Sequence, residues 1–270
     1  MADGISGKLG PIVVLGHRGM LGHVVVRYLT EQGYSVQTVS GRFTNAGSNA
    51  EFFAEIRRAN PAWCVNCIGL RPSPSVPVSE LDAVNHRLPE GLSQNLDPGC
   101  GLIHASSDAV FASDAGRCTW DSPRTATDPY GASKLEAEAS LRRANDWIIR
   151  CSIIGPEQGS AKSLFGWFMV QQGVVNGYRN VSWNGITTLQ WAKECHAIMR
   201  GADPSGVRVI QPACLPVLSK AKVLDLIREL WGLEVSIERV DALMPTTRWL
   251  EPNRPAMVLR EQLAELKKWY

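Results

Sequence analysis

The sequence has no long hydrophobic run. Its longest apolar stretches, such as residues 12–15, have the length of a buried strand, whereas a membrane-spanning helix needs about 20 apolar residues. Residues 1–10 are polar and contain glycine, without the apolar core of a secretory signal. We therefore expect a cytoplasmic protein with no membrane partner.

A strong charge of one sign is also missing. The 28 Lys and Arg residues nearly balance the 26 Asp and Glu residues, which leaves a net charge of +2 spread over 270 residues. Proteins that bind nucleic acid usually carry a basic stripe, so no nucleic-acid partner is expected. The hydrophobic content of 44% is ordinary for a globular protein.

A metal-ligand pattern is absent as well. None of the five histidines has metal-ligand spacing to another, and the seven cysteines include one C-x-x-C pair, Cys64 and Cys67. This pair falls in a predicted strand, where side chains three positions apart face opposite sides. A redox pair would begin a helix, and a structural zinc would need a second pair of ligands. We expect buried structural thiols and no metal.

Short apolar strands alternate with helices in the first half of the chain. The predicted strands are 11–15, 35–39, 62–66, 101–106 and 147–151, and the predicted helices are 20–32, 49–59, 79–94 and 128–145. Strands that are apolar throughout are typical of a parallel sheet covered by helices on both faces. The sequence therefore predicts an α/β protein with a Rossmann-type, doubly wound parallel sheet.

Three glycines follow the first predicted strand. Gly16, Gly19 and Gly22 form a G-x-x-G-x-x-G pattern that opens the first helix. Glycines there allow a tight turn and a close approach of the backbone to a pyrophosphate, whose charge meets the helix N-terminus. An ordinary β–α turn can carry the same residues, but their place at the first strand–helix junction favours a dinucleotide site.

The second predicted strand lacks the acidic residue that usually binds the adenine ribose of NAD. No Asp or Glu occurs between Tyr34 and Ala50. Arg42 follows this strand instead, and Arg18 lies in the glycine loop. Guanidinium groups can hold a 2′-phosphate through paired hydrogen bonds, so NADP(H) is expected in preference to NAD(H), although both arginines can also be solvated surface residues.

A second motif lies in mid-chain. Tyr130 and Lys134 stand one helical turn apart, and Ser107 ends the preceding predicted strand. An ammonium near a phenol lowers the pKa of the phenol, and such a tyrosine can give a proton to a carbonyl oxygen while hydride reaches the carbon. Ser107 would polarise the same carbonyl. A Y-x-x-x-K pattern is common by chance. Here it follows both the glycine loop and the serine in the chain, and this order of motifs favours a nicotinamide-dependent reductase.

The second half of the chain does not continue the regular alternation of short strands and helices. Predicted helices cover 163–172, 188–200, 220–231 and 260–269, predicted strands cover 207–211 and 234–240, and 173–183 reads as irregular. We expect residues 1–154 to form an NAD(P)-binding Rossmann domain. Residues 155–270 would form mainly a small C-terminal substrate-binding lobe, with some elements returning to the sheet.

These motifs resemble those of the extended short-chain dehydrogenases/reductases, and within them the dTDP-4-dehydrorhamnose reductase group of sugar-nucleotide reductases. The similar segments are 14–22, 65–69, 84–85, 106–111, 130–138 and 150–155 and, more loosely, 185–188 and 253–255. Ala109 departs from the pattern, because the group usually has an aromatic residue or cysteine there. The nucleotide base and the sugar stay open.

The resemblance implies a catalytic set of Ser107, Tyr130 and Lys134. It places around the cofactor Tyr130 and Lys134 together with Gly16, His17, Arg18, Gly19, Met20, Leu21, Gly22, Arg42, Cys67, Ile68 and Gly69. The implied partner is a nucleotide-linked 4-keto-6-deoxysugar, which NAD(P)H reduces at C4 in deoxysugar or surface-polysaccharide biosynthesis. The oligomeric state is open, with a homodimer as the expectation.

Substrate contacts are less well marked by the sequence. Trp183 and Asn184 lie in an apparent loop and are candidates to contact the sugar or base, and Arg254 is either a diphosphate ligand or part of a structural ion pair. Two other functions remain open. One is an NADP-binding regulatory subunit without turnover, and the other is a sugar-nucleotide epimerase or dehydratase, for which Asp108 is the available extra acid.

Overall fold

The computed structural model describes residues 10–45, 48–159, 161–201, 208–255 and 258–270. In chain order its strands are β1 (Ile12–Leu15), β2 (Val36–Thr38), β3 (Trp63–Asn66), β4 (Gly101–Ser106), β5 (Arg117–Cys118), β6 (Asp146–Arg150), β7 (Ile153–Ile154), β8 (Gly173–Tyr178), β9 (Ser182–Trp183), β10 (Ile186–Thr187), β11 (Val209–Ile210), β12 (Leu218–Ser219), β13 (Val235–Val240) and β14 (Trp249–Leu250). Its α-helices are α1 (Gly22–Glu31), α2 (Ala50–Arg58), α3 (Val78–Asp82), α4 (Leu88–Asn95), α5 (Pro129–Ser140), α6 (Leu164–Met169), α7 (Thr188–Met199), α8 (Lys220–Trp231) and α9 (Leu259–Trp269).

A parallel sheet forms the centre of the part of the chain that the structure describes. Its six strands lie in the order β11-β6-β4-β3-β1-β2, and every neighbouring pair is parallel. The chain runs from β1 outward to β2 and then crosses back to β3, on the other side of β1. Such a reversal opens a crevice beyond the carboxyl ends of the two central strands. The predicted Rossmann-type, doubly wound sheet is confirmed.

Strand β1 shows how the sheet joins two hydrophobic cores. All four of its side chains are buried. Ile12 and Val14 pack into the core that contains α1 and α7, whereas Val13 and Leu15 pack into the core that contains α2 and α4. Alternate residues of a strand face opposite sides, so a short strand that is apolar throughout needs helices on both of its faces.

The predicted helix over 79–94 is interrupted. Helices α3 and α4 flank a π-helical segment, Ala83–Arg87, in which the backbone is wound more loosely. The predicted helix over 128–145 is too long, because α5 ends at Ser140. Beyond that end, the Asp146 carboxylate accepts hydrogen bonds from the backbone N–H of Arg143 and the hydroxyl of Ser93, which stabilises a turn in place of further helix.

The segment 173–183 contains strands where irregular structure was predicted. Strand β8 pairs in parallel with β13, and β9 pairs with β12. The glycines of β8 weaken its local strand preference. Its hydrogen-bonding partner is more than 60 residues away in sequence, so only tertiary structure supplies the pairing.

The C-terminal half also adds a strand to the central sheet. Strand β11 pairs in parallel with β6, and residue 207 of the predicted strand lies outside the described residues. Strand β14 pairs with β5 from the first half. The division into two domains at residue 154 therefore stays a prediction. No helix among the described residues is long and apolar enough to cross a membrane.

Candidate active site

The glycine loop begins where β1 ends. Gly16 adopts a φ of +77°, which favours glycine, and its carbonyl accepts a hydrogen bond from the backbone N–H of Gly19 at 2.9 Å. A Cβ atom on Gly22 would lie 2.2 Å from the Gly16 carbonyl oxygen. A Cβ atom on Gly16 would lie 3.0 Å from the Ile68 side chain, in the loop after β3. The glycines thus allow this loop to close on itself and against its neighbour.

We expect Gly22→Ala to weaken binding of a nicotinamide dinucleotide by about tenfold or more, because the added methyl group has to displace the loop. Fluorescence titration with the reduced dinucleotide measures the effect. Gly99→Ala is the matched control, since a Cβ atom on Gly99 meets no atom within 4 Å. Equal affinities of the two variants would contradict the role of the loop.

A cavity of about 470 Å³ opens at the crevice between β1 and β3. It is lined by much of the cofactor set expected from the sequence: Gly16, His17, Arg18, Gly19, Arg42, Cys67, Ile68 and Gly69. Met20, Leu21 and Gly22 do not line it, and Leu21 is buried in the core. The sequence analysis did not single out the other lining residues, which include Ser40, Gly41, Phe43, Phe52 and Glu80.

The C-x-x-C pair has the character expected of structural thiols. Cys64 is buried in the core, Cys67 is half-buried at the cavity, and both are free thiols. Burial raises the pKa of each thiol above its ordinary value, which opposes formation of the reactive thiolate.

Helix α5 begins at a well-defined cap. The Asp128 carboxylate accepts hydrogen bonds from the backbone N–H groups of Tyr130 and Gly131, both at 3.0 Å, and Pro129 occupies the first helical position. A Cβ atom on Gly131 would lie 2.3 Å from the carbonyl oxygen of Ala109. Because glycine permits this close approach, the start of α5 packs directly on the loop that follows β4.

Ser107 and Tyr130 meet at this contact. The Ser107 hydroxyl accepts a hydrogen bond from the Ala109 backbone N–H at 3.2 Å and donates one to Asp108 at 3.2 Å. Tyr130 is half-buried, and burial raises the pKa of its phenol, while a hydrogen bond with Ser107 acts in the opposite direction. The prediction that Lys134 lowers this pKa is wrong for this structure, because the cost of burying a phenolate dominates. The phenol is therefore held in its proton-donating form.

Lys134 connects the candidate catalytic residues with the cavity. Its side chain is buried, and its ammonium donates a hydrogen bond to the Ala105 carbonyl in β4 at 3.0 Å. Burial lowers the pKa of Lys134 to about 8, against the opposing charge of Glu138. A Cβ atom on Gly69 would lie 3.4 Å from the ammonium nitrogen. Lys134 thus reaches from α5 to a loop that lines the cavity.

Asn85 belongs to this site, and the sequence analysis gave it no role. Its amide oxygen accepts a hydrogen bond from the Leu70 backbone N–H at 2.8 Å, and its amide nitrogen donates to the Leu70 carbonyl and to the Ser133 hydroxyl. It therefore joins the loop after β3 to α5. Asn85 lies in the π-helical segment, and such local widening of a helix is frequent at functional sites.

A buried ion pair joins α5 to two strands of the central sheet. The Glu138 carboxylate accepts hydrogen bonds from Ser106 at 2.6 Å and from the Arg150 guanidinium at 2.6 and 2.8 Å. The Glu138 and Arg150 side chains are both buried. The pair ties α5 to the carboxyl ends of β4 and β6, which fixes the position of Lys134 one turn earlier on the same helix.

We expect Glu138→Gln to lower the free energy of unfolding by about 3 kcal/mol, since it leaves the Arg150 charge buried without its carboxylate. Urea unfolding measures this loss. Glu136→Gln, an exposed position on the same helix, should change the free energy by less than about 0.5 kcal/mol. A loss no greater than that of the control would contradict the assigned role.

The candidate substrate residues Trp183 and Asn184 are both buried and make structural contacts. Trp183 is buried in the core, where Gly185 approaches its ring closely. The buried Asn184 amide donates to the Leu250 carbonyl at 2.6 Å and accepts from the Leu250 backbone N–H at 3.1 Å. Both residues therefore pack within the C-terminal half, and their contact with the substrate stays a prediction. Arg254 lies near the buried carboxyl of Glu194, where its charge opposes the effect of burial on the carboxyl pKa.

A second cavity, of about 410 Å³, lies between α6, β8 and the start of α8. Trp167 and Tyr178 line it and are partly exposed. Lys220 also lines it, and burial lowers the pKa of this ammonium while the charge of Asp108 raises it. Asp108 follows Ser107 directly, so Lys220 links the second cavity electrostatically to the candidate catalytic residues.

Comparison with solved structures gives matches over nearly the whole chain. A dTDP-4-dehydrorhamnose reductase from Bacillus anthracis in complex with NADP matches with a TM-score of 0.83 and 12% identity, over 97% of this chain and 99% of that one. The same enzyme from Yersinia enterocolitica gives 0.73 and 18%, over 95% and 98%. A UDP-glucuronic acid 4-epimerase from Bacillus cereus in complex with NAD gives 0.70 and 14%, over 96% and 99%. These matches show the shared fold.

Comparison with protein families adds a match in sequence. Residues 10–172, more than half of the chain, match the family described as RmlD substrate binding domain. A search of curated proteins gave no significant match. The resemblance to the dTDP-4-dehydrorhamnose reductase group that the motifs indicated is confirmed, and the chain belongs to the RmlD substrate binding domain family.

Proposed function

We propose that this protein is a reductase that uses NAD(P)H, with NADPH preferred, to reduce the C4 keto group of a nucleotide-linked 4-keto-6-deoxysugar. One observation carries the proposal. Ser107 and Tyr130 meet beyond the carboxyl end of β4, and Lys134 extends from them to the loop that lines the dinucleotide-sized cavity. Proton donor and cofactor cavity are therefore adjacent, as carbonyl reduction requires.

The cavity at the glycine loop fits a nicotinamide dinucleotide. Side chains on Gly16 or Gly22 would fill the space against which the loop closes, and Arg18 and Arg42 line the cavity with positive charge. When bound, the cofactor supplies the hydride for the carbonyl carbon. The residues that would hold it are those of the glycine loop, of the loops after β2 and β3, and Lys134.

The side chains of this chain would supply the proton. The Tyr130 hydroxyl donates its proton to the C4 carbonyl oxygen as that oxygen gains negative charge, and the product is an alcohol. The Ser107 hydroxyl donates a hydrogen bond to the same oxygen and so stabilises the charge. The buried ammonium of Lys134, which reaches the loop at Gly69, would hold the ribose next to the nicotinamide ring.

The second cavity supports a sugar nucleotide as the substrate. Trp167 and Tyr178 offer flat apolar faces of the kind that pack on a base or a sugar ring, and Lys220 offers a charge for a diphosphate. Arg71 lies near enough to influence the pKa values of both Lys220 and Tyr130. The charge of Arg71 therefore acts both on the second cavity and on the proposed proton donor.

The test is NADPH oxidation, followed by absorbance, with 4-keto-6-deoxysugars linked to dTDP, UDP and GDP. Turnover of one member with 1:1 formation of the 4-hydroxy product supports the proposal and identifies the base. Tight NADPH binding without turnover of any member would favour the regulatory subunit. Interconversion of sugars without net NADPH consumption would favour the epimerase.

A further inference from the structure

Glu55, on α2, binds the backbone of the loop that follows β2. Its two carboxylate oxygens accept hydrogen bonds from the backbone N–H groups of Ser40 at 2.9 Å and Gly41 at 3.0 Å. A Cβ atom on Gly41 would lie 2.9 Å from the same carboxylate. The Glu55 carboxylate therefore makes two hydrogen bonds to the loop, and its close approach requires a glycine at position 41.

The loop held by Glu55 forms one wall of the cofactor cavity. Ser40, Gly41 and Arg42 all line that cavity, whereas Glu55 does not. Consecutive backbone N–H groups in a turn form an anion-binding site. Here the N–H groups of Ser40 and Gly41 are directed at the protein's own carboxylate, which does not line the cavity. A phosphate beside these two residues would therefore depend on side-chain donors.

Two arginines are placed to provide those donors. Arg18 and Arg42 line the cavity from opposite loops, and both are exposed. Within the described residues, neither guanidinium has an ion-pair partner. Arg42 directly follows the two residues that Glu55 binds, so the position of its backbone depends on that contact.

We propose that Glu55 is a positioning residue that sets the selectivity for a 2′-phosphorylated cofactor, by fixing the Ser40–Gly41 backbone so that Arg42 is presented to the cavity. This inference rests on the proposed function, since it assumes that a nicotinamide dinucleotide occupies the cavity. The carboxylate binds the backbone of the loop and does not itself line the cavity. It therefore differs from the acidic residue that NAD-binding proteins carry at the end of this strand.

The test compares the affinities of NADPH and NADH for Glu55→Ala, by fluorescence titration of the full-length protein. We expect the ratio of the NADH Kd to the NADPH Kd to fall about tenfold, mainly through weaker NADPH binding, since a charge-assisted contact that positions Arg42 is lost. Glu55→Gln keeps one acceptor for the loop and should lie between the wild type and Glu55→Ala. Glu51→Ala, in an exposed ion pair with Arg58 on the same helix, is the control and should leave the ratio unchanged.

A double-mutant cycle separates positioning of Arg42 from general loosening of the fold. In an Arg42→Ala background, Glu55→Ala should change the ratio by less than about twofold, because the group that it positions is gone. An unchanged ratio in Glu55→Ala, an equal rise of both Kd values, or a full tenfold fall in the Arg42→Ala background would overturn the inference. A wild-type protein that binds neither cofactor would instead overturn the proposed function itself.

Discussion

Tyr130→Phe is expected to lower kcat by about 10³-fold, because it removes the proton that the proposed reaction delivers to the carbonyl oxygen. The ring stays in place at the start of α5, where the Asp128 cap holds the backbone. The Kd of NADPH should therefore change by less than about twofold. Steady-state kinetics on the substrate identified by the panel, together with NADPH titration, measures both quantities.

The matched control for this variant is Tyr34→Phe, which removes a hydroxyl from a half-buried tyrosine whose ring packs against His196. It should keep wild-type kcat. Burial raises the pKa of Tyr130, so the donor stays protonated across the neutral range, and its own ionisation should not limit kcat below pH 8. A Tyr130→Phe enzyme with more than a tenth of the wild-type kcat would show that another group delivers the proton.

Lys134→Met is expected to lower kcat/KM by about 10²- to 10³-fold, the loss that follows removal of one preorganised charged donor. In the wild type the pKa of Lys134 is about 8, so the ammonium is lost as the pH rises through that value. The kcat/KM of the wild type should fall above pH 8, whereas the residual activity of the variant should lack this step. A pH profile of both proteins from 6 to 10 measures the difference.

The same substitution is expected to stabilise the protein at pH 7 by about 2 kcal/mol. The folded state lowers the pKa of Lys134 to about 8, from an ordinary value of 10.5. Below pH 8 the lysine is charged in both states, so the folded protein bears the full cost of burying the charge. Between pH 8 and 10.5 the unfolded chain binds more protons than the folded one, so wild-type stability rises with pH and the advantage of the variant shrinks.

Urea unfolding of both proteins at pH 7 and pH 10 measures this change. The loss of the hydrogen bond to the Ala105 carbonyl opposes the gain by about 1 kcal/mol. A variant that is less stable than the wild type at pH 7, with a difference independent of pH, would show that the ammonium carries no burial cost. Stabilisation together with lost activity would show that the site retains Lys134 for its chemistry.

The sequence was informative wherever a local pattern is sufficient to specify structure. Apolar strands such as β1, the glycines that follow it, and the tyrosine and lysine one turn apart on α5 are all short-range features. They predicted the parallel sheet and the cavity at its crevice, and they marked Ser107, Tyr130 and Lys134, whose roles stay proposals. A doubly wound sheet brings the carboxyl ends of its strands to one edge. The residues that follow β1, β3 and β4 therefore lie close together at that edge.

The sequence was uninformative wherever partners are distant. Asn184 and Trp183 look like loop residues, but their contacts come from Leu250 and from the core, which no local pattern reveals. Strand β8 depends on β13 for its hydrogen bonds, and the break within 78–95 depends on the packing of Asn85 against Leu70 and Ser133.

The sequence by itself determined the family, the sheet and the order of the cofactor and catalytic motifs, because each is encoded in a few neighbouring residues. Only the tertiary structure decided the direction of the Tyr130 and Lys134 pKa shifts, because burial is a property of the assembled fold. The same holds for the carboxylate that binds the backbone of the loop after β2. The segment from Tyr34 to Ala50 has none, and Glu55 supplies one from the next helix.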